Sequence, residues 1–137
     1  EYVAISSYVY SHRNPDNNYV YRGTVIGHSL GPDADMWAVA AGFRPDSQTI
    51  VSLLGAVVRH GESEIGHPWS PAEGRYREFP SGIAERTVKA SLEVERTLRE
   101  PVLIAGRLEL GTTFNKGHVQ GSTCTYWRAA AALGVRL

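Results

Sequence analysis

The chain has little of the material from which a membrane helix, a disulfide or a metal site is built. No run of about 18 apolar residues occurs, which excludes a transmembrane helix. Cys124 is the single cysteine, so neither an intramolecular disulfide nor a cysteine-rich metal site can form. The five histidines lack the i, i+4 spacing and the neighbouring cysteine pair of zinc sites. We therefore expect no metal and no cofactor.

Charge and length narrow the class of protein further. The 14 basic and 14 acidic residues cancel, which removes the electrostatic case for a nucleic-acid partner or a polybasic membrane patch. With 137 residues the chain is one domain by size. It opens with Glu1-Tyr2-Val3, without an initiator methionine or a charged-then-apolar leader. This opening predicts a mature or truncated product, such as the C-terminal part of a longer protein.

What the chain does have is alternation between apolar and polar residues, and no segment carries a convincing helical period. The clearest case runs from Thr87 to Arg99, where every second residue from Val88 onward is apolar apart from Arg96. Successive strand side chains point to opposite faces, so this segment predicts a strand with one apolar and one polar face. The same pattern predicts seven strands, near residues 2–12, 18–26, 35–44, 49–60, 86–99, 102–114 and 125–137.

The predicted connections alternate in length. Residues 44–47 and 99–101 form tight turns with the expected proline or aspartate, whereas 61–85 is long and 115–123 is intermediate. Short turns at one end and long loops at the other are typical of outer-membrane barrels. We therefore expect an all-β fold, an antiparallel up-and-down meander of about seven long strands that is part of a transmembrane β-barrel. Residues 1–137 would be a single segment of that barrel.

The alternation also predicts which side chains share a face. We expect the charged side chains to lie opposite the apolar set Trp37, Phe43, Leu92, Leu108 and Leu133. A charged lumen that guides or excludes a polymer is one interpretation of the polar face; a salt-bridged interior or a solvated sheet face are the others. The residues concerned are Lys89, Glu93, Glu95, Arg107, Glu109, Arg128 and Arg136. Aromatic residues crowd the first third of the chain and predict a girdle at a membrane interface.

One short motif points to catalysis. Residues Gly27-His28-Ser29-Leu30-Gly31 match the G-x-S-x-G nucleophile elbow of lipases and esterases, in which an acid and a histidine follow the serine. After Ser29, Asp46 could serve as the acid, and His60, His67 or His118 could serve as the histidine. Too few residues precede the motif for the strands that come first in that fold, and the crossover helices that parallel strands require do not follow. We expect a non-catalytic protein, with a serine hydrolase as one alternative.

The segment from Tyr19 to Asp35 carries a Tyr-Arg-Gly, Gly-His and Gly-x-Asp succession. It resembles the C-terminal region of Wzi-type capsule assembly proteins, which are bacterial outer-membrane barrels, and the likeness is sharpest over residues 19–44. The resemblance implies a non-catalytic barrel in the bacterial outer membrane that binds capsular polysaccharide at the cell surface. Its partners would be that polysaccharide, outer-membrane lipid and the remaining barrel strands, without nucleic acid. Such barrels usually end on an aromatic residue, whereas this chain ends at Leu137.

Four polar residues of this segment are the candidates for a functional role. They fall where the predicted strand opens toward the extracellular loops, and they could either hydrogen-bond sugar hydroxyls or anchor the loop; they are Arg22, His28, Asp33 and Asp35. The other alternative to a membrane barrel is a soluble ligand-binding β-barrel. In that fold the apolar faces would point inward and leave Lys89, Glu93 and Glu95 in bulk water.

Overall fold

β-Strands account for nearly all the regular structure among the described residues. The computed structural model describes residues 1–9, 20–21, 24–65, 78–99 and 102–135. The strands in this part are β1 (Tyr2–Ile5), β2 (Val20–Tyr21), β3 (Thr24–Val25), β4 (Ala34–Asp46), β5 (Thr49–His60), β6 (Glu85–Arg99), β7 (Val102–Phe114) and β8 (Thr123–Val135). A single 3₁₀ turn at Lys116–His118 is the only helical element of the described residues, so none of them forms a helix that could cross a membrane.

Six of the strands form one up-and-down sheet in the order β1-β4-β5-β6-β7-β8, and every neighbouring pair is antiparallel. The two-residue strands β2 and β3 pair with each other in a separate ribbon. Strands β1 and β8 lie at the two edges of the large sheet, which is therefore open. The predicted all-β antiparallel meander is confirmed, although this sheet does not close on itself.

The five long strands begin and end close to their predicted positions. Strands β5 and β7 coincide with the predicted segments 49–60 and 102–114. Strands β4, β6 and β8 differ from their predicted bounds by two residues or fewer. Period-two alternation over a dozen residues therefore locates these strands well, because one face must be apolar and the other polar for the whole length.

The prediction of two further long strands was wrong. In its described part, the strand expected over 2–12 ends at Ile5, and residues 7–9 form a turn. In the described part of 18–26, the two-residue strands β2 and β3 pair with each other in place of one long strand. The sheet thus holds five long strands and one short one. The physical reason lies at Ser7, which is buried and donates a hydrogen bond to Asp33, so the chain leaves the sheet at that point.

The turn between β4 and β5 lies later than predicted. Strand β4 continues through Pro45 to Asp46, and the register shifts between Phe43 and Asp46, where the proline is accommodated. The Asp46 carboxylate accepts hydrogen bonds from the Gln48 amide at 2.8 Å and from the Thr49 hydroxyl at 3.0 Å. These bonds close a two-residue turn and explain why aspartate stands there.

Connection length distinguishes the two ends of the sheet. The β4–β5 turn and the β6–β7 connection lie at one end, here called the turn end. The segment before β4, the long connection 61–84 and the connection 115–122 lie at the other, here called the loop end. The predicted alternation of short and long connections is therefore present in the strand bounds.

Strand register divides the sheet into an apolar face and a polar face. Directly paired residues share a face, as in the row formed by Leu53, Leu92 and Leu108. The apolar face consists mainly of Trp37, Val39, Phe43, Val51, Leu53, Val57, Val88, Leu92, Val94, Ile104, Leu108, Leu110, Trp127, Leu133 and Val135. The opposite face carries Lys89, Glu93 and Arg107, so the predicted separation of the two sets is confirmed.

The apolar face is not covered by any described part of the chain. Trp37 keeps 59% of its surface exposed and Leu133 keeps 75%. The buried hydrophobic residues of the described part are only Ile5, Ala34 and Ala56, so this sheet has no conventional core. The chain exposes 9747 Å², whereas a globular monomer of this mass exposes roughly 7000 Å². The apolar face therefore needs lipid, further strands or another apolar surface to cover it.

Candidate functional site

Asp33 joins three separate segments at the loop end. Its carboxylate is fully buried and accepts hydrogen bonds from the Ser7 hydroxyl at 3.0 Å, the Ser63 amide at 3.1 Å and the Ser81 amide at 3.1 Å. The Ser81 hydroxyl donates a further, short hydrogen bond to the same carboxylate. Asp33 itself has a left-handed backbone conformation with φ 55°, which aspartate tolerates better than most residues. We call Asp33 with Ser7, Ser63 and Ser81 the Asp33 anchor.

The charge state of Asp33 follows from these contacts. Burial acts to raise the pKa of Asp33, but the hydrogen bonds from Ser81, Ser63 and Ser7 together outweigh it and hold the pKa below its ordinary value. The carboxylate is therefore ionised at neutral pH although it is buried. All four of its described donors come from serine residues or their backbone amides, so the negative charge is satisfied without a basic side chain.

Gly61 is required for the close packing of the Asp33 anchor. Its amide donates to the Asp33 carbonyl oxygen at 2.7 Å. A Cβ atom at position 61 would collide with the Asp33 carboxylate and would lie 2.5 Å from the Ser81 amide nitrogen. Glu62 extends the same contact, because its amide donates to the Ser81 carbonyl at 3.1 Å and its Oε1 accepts from the Ile83 amide at 3.0 Å. Both ends of the connection 61–84 are thus held together.

Asp35 forms the second buried acidic contact at the loop end. It is 1% exposed and pairs with the guanidinium of Arg59, which lies directly opposite on β5. The Nε atom of Arg59 donates to Oδ1 at 2.9 Å and Nη2 donates to Oδ2, so the pair is bidentate. Arg59 remains partly exposed at 43% of its side-chain surface. The pair stands at the loop-end border of the apolar face.

The four predicted site residues are placed differently from one another. Arg22 lies outside the described residues. His28 is half-buried in the loop before β4, and its Nδ1 accepts from the Leu30 amide at 3.2 Å. Asp33 and Asp35 are buried, and their carboxylates are engaged within the protein. The geometry of these two aspartates favours the loop-anchoring alternative over direct contact with a polymer.

The charged residues of the polar face form one connected group and several separate positions. Glu109 forms an ion pair with Arg107 on the same strand at 3.3 Å and a second one with Arg128 on β8 at 3.9 Å. The group therefore spans β7 and β8. Lys89, Glu93 and Glu95 share this face but form no ion pair with a described residue. Arg136 lies outside the described residues. The group Arg107, Glu109 and Arg128 thus has the salt-bridged arrangement that was one of the three interpretations of this face.

Tyr126 supports the same group on the polar face. Arg128 lies over its ring at 5.0 Å, a distance suitable for a cation–π interaction. The ring also covers Gly111, its direct partner on β7, since a Cβ atom there would lie 2.5 Å from Cζ of the tyrosine. A glycine in mid-strand opposite an aromatic ring is a known way to restore packing where the side chain is missing.

A cleft opens at the loop end beside the Asp33 anchor. It has a volume of about 490 Å³ and is lined by Gly31, Pro32, His60, Gly61, Glu62, Ser63, Glu64, Ile65 and His118. The lining comes from the segment before β4, the end of β5 with the residues that follow it, and the turn after β7. Three connections therefore meet in one concave surface.

Most of the residues that build this site could not be identified from the sequence. Ser7, Ser63 and Ser81 are ordinary loop serines without a distinguishing motif, and they meet only because three distant segments converge on Asp33. His60 and His118 are far apart in the sequence and lack the spacing of a shared site, although they line the same cleft. The available signal was the Gly-x-Asp step at residues 31–33, where both Gly31 and Asp33 have positive φ.

Ser29 lies in a turn that leads into a strand. It is exposed, and β4 follows within a few residues, whereas the nucleophile elbow places its serine between a strand and a helix. His28 accepts from the Leu30 amide across this turn. The Gly31 amide also donates to the His28 carbonyl at 3.2 Å, so local hydrogen bonds account for the bend of the Gly27–Gly31 segment.

Comparison with known proteins adds no constraint on the family or the function of this chain. No protein-family model matches the chain, and neither a curated protein nor a solved structure shows a significant match to it.

Proposed function

We propose that this chain is a segment of a bacterial outer-membrane β-barrel that binds capsular polysaccharide at the cell surface and has no catalytic role. The observation that carries the membrane part of the proposal is the exposed apolar face. On that face the described charged side chains stand only near its borders. Asp35, Arg59 and Arg86 lie at the loop end, and Asp46, Arg96 and Arg99 lie toward the turn end. The intervening rows carry no charge and are apolar or small apart from Thr112 and Thr125, whose hydroxyls hydrogen-bond to each other.

The height of this apolar belt suits a bilayer. On β6, Arg86 and Arg96 enclose Val88, Ala90, Leu92 and Val94. Ten residues of antiparallel strand span roughly 34 Å, and a strand tilt of about 40° reduces this to a vertical height of roughly 25 Å. An apolar band of about 25 Å is the usual one in outer-membrane barrels. The belt therefore has the thickness expected of a lipid-facing surface.

Aromatic side chains border the belt. Tyr2 and Trp37 are packed together near the loop end with their ring centroids 4.3 Å apart, and both stay largely exposed. Phe43 lies toward the turn end of the same face and is 55% exposed. Aromatic rings at the two borders of an apolar band are the arrangement of interfacial girdles. In the proposed barrel the polar face lines the lumen, and the open edges at β1 and β8 pair with the remaining strands.

The polysaccharide part of the proposal is supported by the resemblance over residues 19–35 and by the construction of the loop end. The Asp33 anchor joins the segment before β4 to Ser63 and Ser81, near the two ends of the connection 61–84. A binding surface gains affinity when its loops are ordered before the ligand arrives, because less conformational entropy is lost on binding. The anchored loops and the cleft beside them provide such a surface.

Cell fractionation tests directly the proposal that the chain lies in the outer membrane. We expect the chain to appear in the outer-membrane fraction and to be extracted only with detergent. Circular dichroism of the extracted material should show a β-sheet spectrum in micelles. A folded monomer in detergent-free buffer would instead support the soluble ligand-binding barrel, in which the apolar face is turned inward.

Esterase assays separate binding from catalysis. We expect no turnover of simple esters and no labelling by serine-reactive probes. Ser29 is exposed in a turn that leads into a strand, whereas a nucleophile elbow places its serine between a strand and a helix. Retention of capsular polysaccharide should be the same for the wild type and for Ser29→Ala. Ester hydrolysis by the purified chain that disappears in Ser29→Ala would establish the hydrolase alternative.

A further inference from the structure

The chemistry of the loop-end cleft restricts what it can bind. Its volume of about 490 Å³ falls within the range of roughly 300–1,000 Å³ that is typical of small-molecule sites. Ile65 and Pro32 give it an apolar part, and its titratable side chains are two histidines and two glutamates. The hydrogen-bonding roles of these four side chains follow from their contacts.

Both histidines have a tautomer set by a backbone carbonyl. His60 Nε2 lies 3.1 Å from the Pro32 carbonyl oxygen, and His118 Nδ1 lies 2.8 Å from the Ile83 carbonyl oxygen. A carbonyl oxygen can only accept, so the nitrogen that faces it carries the proton in the neutral ring. The second nitrogen of each ring, Nδ1 of His60 and Nε2 of His118, is then a hydrogen-bond acceptor.

These two acceptor nitrogens are available to a ligand. They have no hydrogen-bond partner within the described part of the chain. No polar side-chain atom of the described residues is both buried and without a partner. Because both rings are only partly buried, the free nitrogens must be accessible to solvent. A bound molecule with hydroxyl or amino hydrogens could therefore donate to them.

The two glutamates add negative charge and further acceptor atoms. Glu62 uses Oε1 to accept from the Ile83 amide, which leaves Oε2 free of that bond. Glu64 is exposed, and no described residue forms a hydrogen bond or ion pair with it. The described lining contains neither lysine nor arginine. The described lining thus presents acceptors and negative charge, without a lysine or arginine to balance an anion.

We propose that this cleft binds a sugar unit of the polysaccharide that is rich in hydrogen-bond donors and carries no acidic group, with a free amino group binding most strongly. The inference rests on the proposed function, which supplies the polysaccharide as ligand. What it adds is the class of sugar that the cleft binds. Hydroxyl hydrogens are donated to the free nitrogens of His60 and His118, and an ammonium group is attracted by Glu62 and Glu64. A uronic acid is repelled by the same two carboxylates.

Three oligosaccharides of equal length test this assignment. The full chain in detergent micelles is titrated calorimetrically with glucosamine, N-acetylglucosamine and galacturonate oligomers. We expect the glucosamine oligomer to bind most tightly, the N-acetylated oligomer more weakly and the galacturonate oligomer not measurably. Binding of the glucosamine oligomer should weaken as salt concentration rises, because screening reduces the attraction between exposed charges.

Two substitutions identify the cleft as the binding site. Glu62→Gln keeps an oxygen that can accept from the Ile83 amide, and Glu64→Gln removes a charge that no described residue contacts. The double variant should lose at least tenfold in affinity for the glucosamine oligomer while it keeps the β-sheet spectrum of the wild type. Glu78→Gln is the matched control, because Glu78 is exposed and does not line the cleft. Its affinity should equal that of the wild type.

The outcomes distinguish this inference from the proposed function. If the galacturonate oligomer binds best, or if the double variant binds the glucosamine oligomer as tightly as the wild type, the assignment of the cleft is wrong and polysaccharide binding stands. If none of the oligomers binds and capsular polysaccharide is not retained either, both the inference and the polysaccharide part of the proposed function are wrong.

Discussion

Replacing Leu92 by arginine should destabilise the chain in a lipid bilayer by about 2–4 kcal/mol, the cost measured for arginine near the midplane of an outer-membrane barrel. Leu92 lies in the middle of the belt on β6, between Leu53 and Leu108 of the neighbouring strands. An arginine there must either lose water or distort the bilayer. Denaturant titration of the chain refolded into lipid vesicles measures the change in the free energy of unfolding.

Ser91→Arg is the matched control for Leu92→Arg. It introduces the same side chain one residue earlier, on the polar face, where Ser91 is paired with Glu109. We expect its cost to be much smaller, because the guanidinium there meets a carboxylate instead of lipid. Glu93→Gln should likewise have a small effect, since no described residue forms an ion pair with Glu93. Equal tolerance at 91 and 92 in detergent-free buffer would contradict the membrane proposal and favour the soluble barrel.

Asp33→Ala should release the loop end while the long strands remain paired. The buried amides of Ser63 and Ser81 would each lose their partner, at a cost of about 1–3 kcal/mol per unsatisfied group, so that a loss of roughly 2–6 kcal/mol is expected. Hydrogen exchange measures this residue by residue. The Ser63 and Ser81 amides should exchange much faster, whereas exchange in β6 and β7 should stay close to that of the wild type.

Two further variants separate the anchor from a general loss of stability. Gly61→Ala places a methyl group against the Asp33 carboxylate and should accelerate the same amides. Gly55→Ala is its control, because nothing lies within 4 Å of a Cβ atom at that position of β5. If Asp33→Ala leaves the exchange of Ser63 and Ser81 unchanged, the carboxylate does not hold the loops and the interpretation fails.

The Asp33 anchor should also weaken in acid, because its hydrogen bonds favour the ionised form of the carboxylate. The folded pKa of Asp33 lies below its ordinary value, so the contribution of the carboxylate is fully present above the unfolded pKa of about 3.9. It is lost as the pH falls through the lower, folded pKa. Exchange at Ser63 and Ser81, corrected for the intrinsic pH dependence, should therefore accelerate only under strongly acidic conditions, and it should be insensitive to pH in Asp33→Ala.

The long strands were predictable because a sheet with one apolar and one polar face imposes a period of two on every residue. Val88 to Val94 show that period without interruption, and the predicted bounds of β5 and β7 agree with the structure. The N-terminal segment carries many strand-forming residues as well, yet β1 ends at Ile5. Strand propensity alone did not predict that end, because a contact between Ser7 and a residue far along the chain determines it.

The candidate site was predictable only in part, for a related reason. Asp33 and Asp35 were candidates because they fall where the predicted strand opens toward the loops, with loop anchoring as one of their two alternative roles. The partners of these aspartates lie 24 to 48 residues away along the chain. Contacts across such distances depend on the pairing of β4, β5 and β6, which brings Arg59 opposite Asp35. No local pattern encodes them.

The difference between the two ends of the sheet has a consequence for how the chain acquires its structure. Strands β4 and β5 are joined by a two-residue turn, so their pairing closes only a short loop, whereas pairing β5 with β6 must close the connection 61–84. The entropic cost of loop closure rises with loop length. The β4–β5 hairpin should therefore form early, starting at the turn after Asp46, and the β6–β7 hairpin should form early for the same reason. The two hairpins then pair with each other through β5 and β6. Contacts at the Asp33 anchor come last, because they require both hairpins to be in place.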